Sequence, residues 1–331
     1  MEEAIINFPK QFLWKPEIKN PQQLGVIRSA VSKFVVCGMG GSALAADLLR
    51  ITNPDTEIGV WRDYGLPREI LPDRQASPAG KKIGDTMIIA SSYSGNTEET
   101  IDAFLEAKKR GLPVAVISTG GKLLELAIEQ QLPYIQLPST GIQPRTATGY
   151  SMKALLKLMG EGEKSAEIEM LAENLSVKLA GQKGEALSRR LRGKVPVIYS
   201  SSRNLPIAYN WKIKFNETGK IPAFTNRFPE LNHNEMTGFD GKWKGGDILS
   251  FVFLEDEFDD PRILKRMEAT KKMYEDRKLE VITVKLEGED VFHRIFQTLL
   301  IADWAALYLA KFYEVDPENV PMVEEFKNLI K

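Results

Sequence analysis

The first half of the chain alternates short apolar runs with patterns typical of helices. The runs predict β-strands at 33–38, 57–63, 85–92, 113–119 and 133–138. Residues 96–111 carry apolar side chains at Ile101, Phe104 and Leu105 and end in a glycine, which predicts a helix. Continuous apolar strands joined by helices are typical of a parallel sheet buried on both faces. We therefore expect an α/β fold with a doubly wound, flavodoxin-like sheet.

The alternation begins again after a polar helical stretch from about 164 to 192. Further strands are predicted at 194–202, 247–255 and 280–288, with helices at 205–219, 259–277, 291–315 and 319–331. The turns "VVCGMGGS" and "VIYSSSRN" follow the first strand of each half. The sequence thus predicts two related domains, 1–152 and 153–331, each a parallel sheet flanked by helices.

Composition excludes several classes of protein. The net charge of −1 over 331 residues provides no field that favours nucleic acid or membrane, and the longest apolar runs have only strand length. The start "MEEAIINFPKQF" lacks the layout of a signal peptide. The single cysteine, Cys37, closes an apolar run, where a buried and unreactive thiol is expected. With two histidines, His233 and His293, we expect a cytoplasmic enzyme without metal or cofactor, and interpret His293, in an apolar helical pattern, as structural.

Two turns in the first half have the composition of a phosphate site. In open α/β sheets, ligands bind beyond the carboxyl ends of the strands, where the strand order reverses. At a helix N-terminus, free N–H groups and the helix dipole favour an anion. The candidate phosphate-binding residues are Gly40, Gly41, Ser42, Ser92, Ser94 and Thr97.

Two alternatives remain open for these turns. Ser42 and Thr97 are also suited to capping helices, since Ser and Thr are preferred N-caps. Gly38, Gly40 and Ala43 also fit the G-x-G-x-x-[GA] spacing of a nicotinamide-dependent dehydrogenase, with Asp63 as the ribose ligand. The dehydrogenase alternative leaves the hydroxyl-rich turn "SYSGNTEET" without a role.

Four segments in order, "GMGGSALAADLL", "SYSGNTEET", "PRTATGYS" and "LNHNEMTGF", resemble the bifunctional phosphoglucose/phosphomannose isomerase family over nearly the whole chain. Its members consist of two sugar-isomerase (SIS) domains. The resemblance implies metal-independent interconversion of glucose 6-phosphate, and of mannose 6-phosphate, with fructose 6-phosphate through an enediolate. An isomerase of amino-sugar phosphates and an SIS-type regulator that binds a sugar phosphate without catalysis are the alternatives.

The resemblance assigns the proton-transfer residues. Glu217, in "KFNETGK", matches the catalytic glutamate; it ends a predicted helix, where negative charge is disfavoured. His233 matches the ring-opening histidine, and an imidazole can give and take protons near neutral pH. In relatives this histidine reaches the active site of the neighbouring subunit, which implies a homodimer. Glu235 is expected to orient this loop or the imidazole.

The resemblance also assigns residues that would contact the substrate. Pro144 and Arg145 match the family's "PR" pair, in which the guanidinium would stabilise the enediolate or position a water molecule. Lys327 matches a lysine close to the substrate. Relatives also carry a threonine near this lysine that is associated with mannose phosphate, whereas residues 316–327 contain none and Asn319 is the nearest polar candidate.

Overall fold

The computed structural model describes residues 1–68, 85–241 and 245–330. The chain folds into two compact units, which we call the first unit (Asn7–Glu173) and the second unit (Met1–Ile6 with Asn174–Lys331). The predicted boundary after residue 152 falls inside the helix Thr148–Met159. Because this helix packs against a helix and a strand of the first unit, the units divide after Glu173.

The first unit is built on a five-stranded parallel sheet. Its strands are β1 (Lys33–Cys37), β2 (Glu57–Trp61), β3 (Thr86–Ser91), β4 (Val114–Ser118) and β5 (Tyr134–Gln136), in the spatial order β2-β1-β3-β4-β5. This is the flavodoxin-like order, so the predicted doubly wound fold is confirmed. The strand order reverses between β1 and β3, where Val35 pairs with Ile88.

Helices cover both faces of this sheet. The helices as far as residue 174 are α1 (Glu2–Ile6, in the second unit), α2 (Leu24–Ala30), α3 (Gly41–Thr52), α4 (Glu98–Lys109), α5 (Gly121–Glu129), α6 (Thr148–Met159), α7 (Gly162–Glu167) and α8 (Leu171–Asn174). Phe104 on α4 and Leu123 on α5 pack with Val35 and Ile88 of the sheet. Residues 87–90 of β3 are fully buried, which explains why this strand is apolar along its whole length.

The second unit contains a four-stranded parallel sheet. Its strands are β6 (Val195–Ser201), β7 (Phe224–Phe228), β8 (Leu249–Glu255) and β9 (Glu280–Lys285), in the order β7-β6-β8-β9. Its longer helices are α9 (Val177–Leu191), α10 (Leu205–Glu217), α11 (Pro261–Asp276), α12 (Val291–Phe312) and α13 (Pro321–Leu329). The order repeats that of the first four strands of the first sheet, so the predicted second parallel α/β sheet is confirmed.

The sequence-based prediction missed β7, the edge strand of this sheet. Its sequence "FTNRF" has polar residues at three consecutive positions, and only Phe228 is buried. The continuous apolar pattern that marks the inner strands is therefore absent from it.

The helix α12 is the core helix of the second unit. Among the described residues it is the one helix long and apolar enough to span a membrane, but 83% of its most apolar 18-residue window is buried inside the protein. It packs against α9 and α10. Arg294, Gln297 and Asp303 divide its sequence into apolar runs no longer than a strand, so the long helix could not be recognised from uninterrupted apolar runs.

Candidate functional site

Three turns of small residues meet at the carboxyl edge of the first sheet. They follow the neighbouring strands β1, β3 and β4. A Cβ atom added to Gly38 would lie 2.5 Å from the carbonyl oxygen of Ser91, and one added to Gly95 would lie 1.8 Å from that of Gly120. Glycine is thus required for the backbones to approach this closely. The structure brings the turns together at the point where the strand order reverses.

Hydroxyl groups bond within and between these turns. Ser42 Oγ accepts a hydrogen bond from the Tyr93 N–H at 2.8 Å, and the hydroxyls of Ser92 and Thr97 lie 2.8 Å apart. Ser42 lies inside α3 rather than before it. Thr97 is the N-cap residue of α4, but within the described part of the chain its side chain makes no capping bond. The capping alternative is therefore not supported for either side chain.

The other predicted residues of these turns lie nearer the surface. Gly40, with a φ of +48°, precedes α3, and Gly41 begins that helix; both are partly exposed. Ser94 is exposed, and its Oγ accepts a hydrogen bond from the Asn96 N–H at 3.3 Å. The groups nearest the surface in these turns are therefore the backbone of Gly40 and Gly41 and the hydroxyl of Ser94.

The segment Pro144–Thr146 packs directly on the first turn. A Cβ atom added to Gly41 would lie 2.6 Å from the carbonyl carbon of Pro144 and 2.7 Å from the nitrogen of Arg145. Arg145 is only 1% exposed, so it is not an ordinary solvent-exposed loop arginine. A guanidinium keeps its charge when buried, so this segment places a permanent positive charge inside the first unit.

Gln11 holds this segment in place. Its Nε2 donates to the carbonyl of Thr146 at 2.7 Å, and its Oε1 accepts from the Gly149 N–H at 3.1 Å. The sequence analysis did not identify Gln11. A glutamine within the apolar run "FPKQFLW" was the available signal, since polar side chains in such runs are usually bonded when buried.

Two further residues from the sequence analysis are Asp63, the ribose ligand of the dehydrogenase alternative, and the single cysteine Cys37. The Asp63 carboxylate is exposed and accepts from the N–H of Tyr64 at 2.8 Å. The Cys37 thiol is 1% exposed, and burial raises its pKa to about 12. The expectation of a buried and unreactive thiol fits this environment.

In the second unit, Glu217 is the last residue of α10 and is partly exposed. The Lys220 ammonium donates to the carbonyls of Glu217 and Asn319, which brings the end of α10 beside the segment before α13. The side-chain amide of Asn319 itself donates to Asp316. The end of α10 is fixed by a buried ion pair, in which Lys214 Nζ lies 2.6 Å from Asp303 Oδ1 of α12.

Lys327 lies on α13, and its side chain is exposed. Its Nζ pairs with Glu324 Oε1 at 2.7 Å, one turn earlier on the helix. Every described residue of α13 is exposed, although the helix carries several large apolar side chains.

His233 lies on an exposed loop that follows β7. The loop consists of two 3-10 turns, Glu230–His233 and Glu235–Phe239. The His233 side chain is exposed, whereas Glu235 accepts hydrogen bonds from the Tyr199 hydroxyl and from Asn226 Nδ2.

The turn after β6, "SSSRN", echoes the glycine turn of the first unit in place but not in chemistry. Two buried carboxylates that follow β8 bond to it: Asp259 accepts from Ser201 Oγ at 2.7 Å, and both Asp256 and Asp259 accept from Asn204 Nδ2 at 3.2 Å. Burial raises the pKa of Asp259. Asp256 also lies 3.7 Å from Arg203 Nη1 and 3.5 Å from Arg294 Nε. The turn of the second unit is thus surrounded by paired charges instead of glycines, so the resemblance of the two halves ends with the backbone.

Comparison with known proteins places the chain among sugar-phosphate enzymes. Residues 181–330 match the family "Bacterial phospho-glucose isomerase C-terminal SIS domain". A bifunctional phosphoglucose/phosphomannose isomerase of Aquifex aeolicus (strain VF5) is 34% identical over 343 residues, which cover 100% of this chain and 99% of the relative. A D-glucosamine-6-phosphate 4-epimerase of Sulfolobus acidocaldarius is 29% identical over 89% of this chain and 88% of that protein.

A solved structure shares the fold. A hypothetical protein of Thermus thermophilus superposes with a TM-score of 0.67 at 18% identity, covering 99% of this chain and 89% of that one. The identity to the Aquifex enzyme extends over essentially the full length of both chains. The chain therefore belongs to the bifunctional phosphoglucose/phosphomannose isomerase family.

Proposed function

We propose that the protein interconverts glucose 6-phosphate, and also mannose 6-phosphate, with fructose 6-phosphate through an enediolate and without a metal ion. The observation that carries this proposal is the meeting of three small-residue turns with the buried Arg145 at one edge of the first sheet. Helix N-termini and glycine-rich turns suit the phosphate group. The proposed phosphate-binding residues are Gly40, Gly41, Ser42, Ser92, Ser94, Thr97 and Pro144.

Proton transfer is proposed to depend on Glu217 and His233. Glu217, the last residue of α10, would carry the proton between C1 and C2. His233 would open the sugar ring by donating and accepting protons. Arg145 would stabilise the negative oxygen of the enediolate, and Lys327 would lie close to the substrate.

A homodimer in which His233 of one subunit serves the active site of the other completes this proposal. The exposure of His233 supports it, as does the apolar surface of α13, where Met322 is 80%, Phe326 59% and Leu329 78% exposed. Exposed apolar patches of this kind mark protein interfaces. A reducing compartment, the cytoplasm, suits a chain with one buried thiol.

An amino-sugar phosphate is a second candidate substrate. The 29% identity to a D-glucosamine-6-phosphate 4-epimerase favours it. Such a substrate would use the same phosphate turns and differ in the groups that contact C2.

The proposal is tested by an assay in the presence of a chelator. Glucose 6-phosphate and mannose 6-phosphate are offered separately, and fructose 6-phosphate is detected. Glucosamine 6-phosphate is offered in a third reaction that is followed by NMR of the sugar, because a 4-epimerisation would form no fructose 6-phosphate. We expect turnover of the first two. Turnover of glucose 6-phosphate alone would connect the missing threonine with narrower specificity, and binding without any turnover would favour the regulator.

Replacing the proposed base tests the mechanism. Glu217→Gln should abolish turnover while glucose 6-phosphate still binds, because the amide keeps the size of the side chain and cannot accept the proton. Glu275→Gln is a matched control, since Glu275 is an exposed glutamate in the last turn of α11. Near-normal turnover by Glu217→Gln would contradict the assignment.

A further inference from the structure

We propose that Tyr199 and Asn226 are positioning residues that hold the carboxylate of Glu235 and thereby fix the loop that presents His233. The geometric part of this proposal stands on the second unit alone. Its consequence for catalysis rests on the proposed function, because it requires His233 to act on the substrate.

Tyr199 and Asn226 are neighbours across two strands. Tyr199 of β6 pairs in register with Asn226 of β7, so their side chains leave the same face of the sheet side by side. The Tyr199 hydroxyl donates to Glu235 Oε1, and Asn226 Nδ2 donates to Glu235 Oε2. Each carboxylate oxygen thus has its own donor, which fixes both the position and the plane of the carboxylate. Hydrogen bonds to a charged group are also the stronger kind.

The tyrosine that makes this contact cannot move easily. Its ring is fully buried and packs against Phe228 and Phe253, with centroids 6.0 and 5.5 Å away. Burial, together with the Glu235 carboxylate, raises the pKa of Tyr199 far above its ordinary value. The phenol therefore keeps its proton and remains a donor throughout the pH range in which an enzyme works.

Hydrogen bonds also hold the loop residues on either side of His233. Asn232 Nδ2 donates to Thr270 Oγ1 of α11 at 2.8 Å, and Asn234 Nδ2 donates to Glu230 Oε1 at 2.7 Å. The residues before and after the histidine are thus bonded, while the imidazole itself is exposed. Exposed loops ordinarily lose conformational entropy when they become ordered around a ligand. The anchors of this loop have already ordered it in the folded chain, so a substrate meets a preorganised imidazole.

Tyr199→Phe is the direct test, with Tyr274→Phe as its matched control. Tyr274 is buried in the same aromatic cluster, 6.5 Å from Tyr199 between ring centroids. In the described part of the chain, the side-chain donors to the Glu235 carboxylate are Tyr199 and Asn226, not Tyr274. Both substitutions remove one buried oxygen from the same core, but only Tyr199→Phe releases Glu235. Asn226→Asp tests the second donor, because a carboxylate there repels that of Glu235.

The readout that separates positioning from packing is the NMR signal of the histidine rings. The chain has two histidines, and His293, in the first turn of α12, serves as the internal reference. We expect Tyr199→Phe to increase the motion of the His233 ring and leave His293 unchanged. We also expect it to lower kcat by roughly ten- to a hundredfold, the equivalent of one lost hydrogen bond to a charged group, with little change in KM. Tyr274→Phe should leave the His233 ring and kcat unchanged.

Equal effects of Tyr199→Phe and Tyr274→Phe on His233 would overturn the proposal, since they would reduce Tyr199 to a packing residue. If Tyr199→Phe mobilises His233 but His233→Gln keeps full activity, the positioning of the loop stands and the proposed ring-opening role of His233 fails. The two failures are thereby distinguishable.

Discussion

The backbone of Gly41 lies directly against that of Arg145, so that a Cβ atom at Gly41 would come within 2.7 Å of the Arg145 nitrogen. The first turn and the segment Pro144–Thr146 are about a hundred residues apart in sequence. They can pack this closely because residue 41 has no side chain. This contact connects the proposed phosphate turn with the proposed enediolate-stabilising arginine.

Gly41→Ala should damage the site through this contact. The methyl group meets backbone atoms, which cannot rotate away, so the segment Pro144–Thr146 must shift. We expect a loss of about 1–3 kcal/mol in the free energy of unfolding, as for other overpacked sites, and a KM for glucose 6-phosphate raised at least several-fold. Urea unfolding and steady-state kinetics measure both.

Gly162→Ala is the control for this substitution. An added Cβ at Gly162 meets nothing within 4 Å, and the residue lies in α7. Gly162→Ala should leave kcat and KM unchanged. It should raise the free energy of unfolding slightly, because alanine has a higher helix propensity than glycine. Similar behaviour of the two alanine variants would refute the importance of the contact.

The buried pair of Lys214 and Asp303 should be essential for the stability of the second unit. The two side chains are 0% and 4% exposed and lie 2.6 Å apart. Removing one partner takes away the opposite charge that faces the other at 2.6 Å in a buried site, so Lys214→Met or Asp303→Leu should each cost about 3–5 kcal/mol. The double variant should recover much of this loss, because neither charge then remains. A double-mutant cycle by urea unfolding checks this, and additive losses would contradict it.

The strands were predictable because their signal is local. Eight of the nine strands in the described part of the chain were predicted, since a strand buried on both faces must be apolar at consecutive positions, as 87–90 in β3 are. The edge strand β7 was missed because only Phe228 of it is buried. The glycines at 38 and 95 were identified as turn residues, but the carbonyl groups they approach belong to other segments and could not be predicted.

The supports of the candidate site were not predictable, because they join residues far apart in sequence. The anchoring of Thr146 by Gln11 and of Glu235 by Tyr199 depends on strand order and register. The same holds for the burial of Arg145, which in sequence resembles an exposed loop arginine. Sequence motifs identify candidates for the chemistry, whereas the residues that position them follow from tertiary structure.

Cys37 should be unreactive in the folded protein. Its pKa of about 12 leaves almost no thiolate at neutral pH, and its sulfur is buried at the end of β1. As the only cysteine of the chain, it gives an unambiguous signal with a thiol reagent. We expect no labelling by DTNB at about pH 7.5 in buffer and complete labelling in denaturant. Rapid labelling of the native enzyme would show that the strand opens.

Asp259 should give the second unit a distinctive dependence on pH. Burial raises its pKa in the folded state above the ordinary value of aspartate. The folded state therefore binds the proton of Asp259 more tightly than the unfolded state does. This contribution to stability is present at low pH and is lost as the pH rises through the folded-state pKa. Each unit of difference between the folded-state and unfolded-state pKa corresponds to about 1.4 kcal/mol. Asp259→Asn does not titrate. The stability of the natural protein minus that of the variant should thus decrease as the pH rises above about 4, the ordinary pKa of aspartate, because there the unfolded chain loses the proton that the folded chain keeps. Urea unfolding at each pH measures this difference. A difference that stays constant or increases with pH would show that the bonds from Ser201 and Asn204 outweigh burial at this carboxylate.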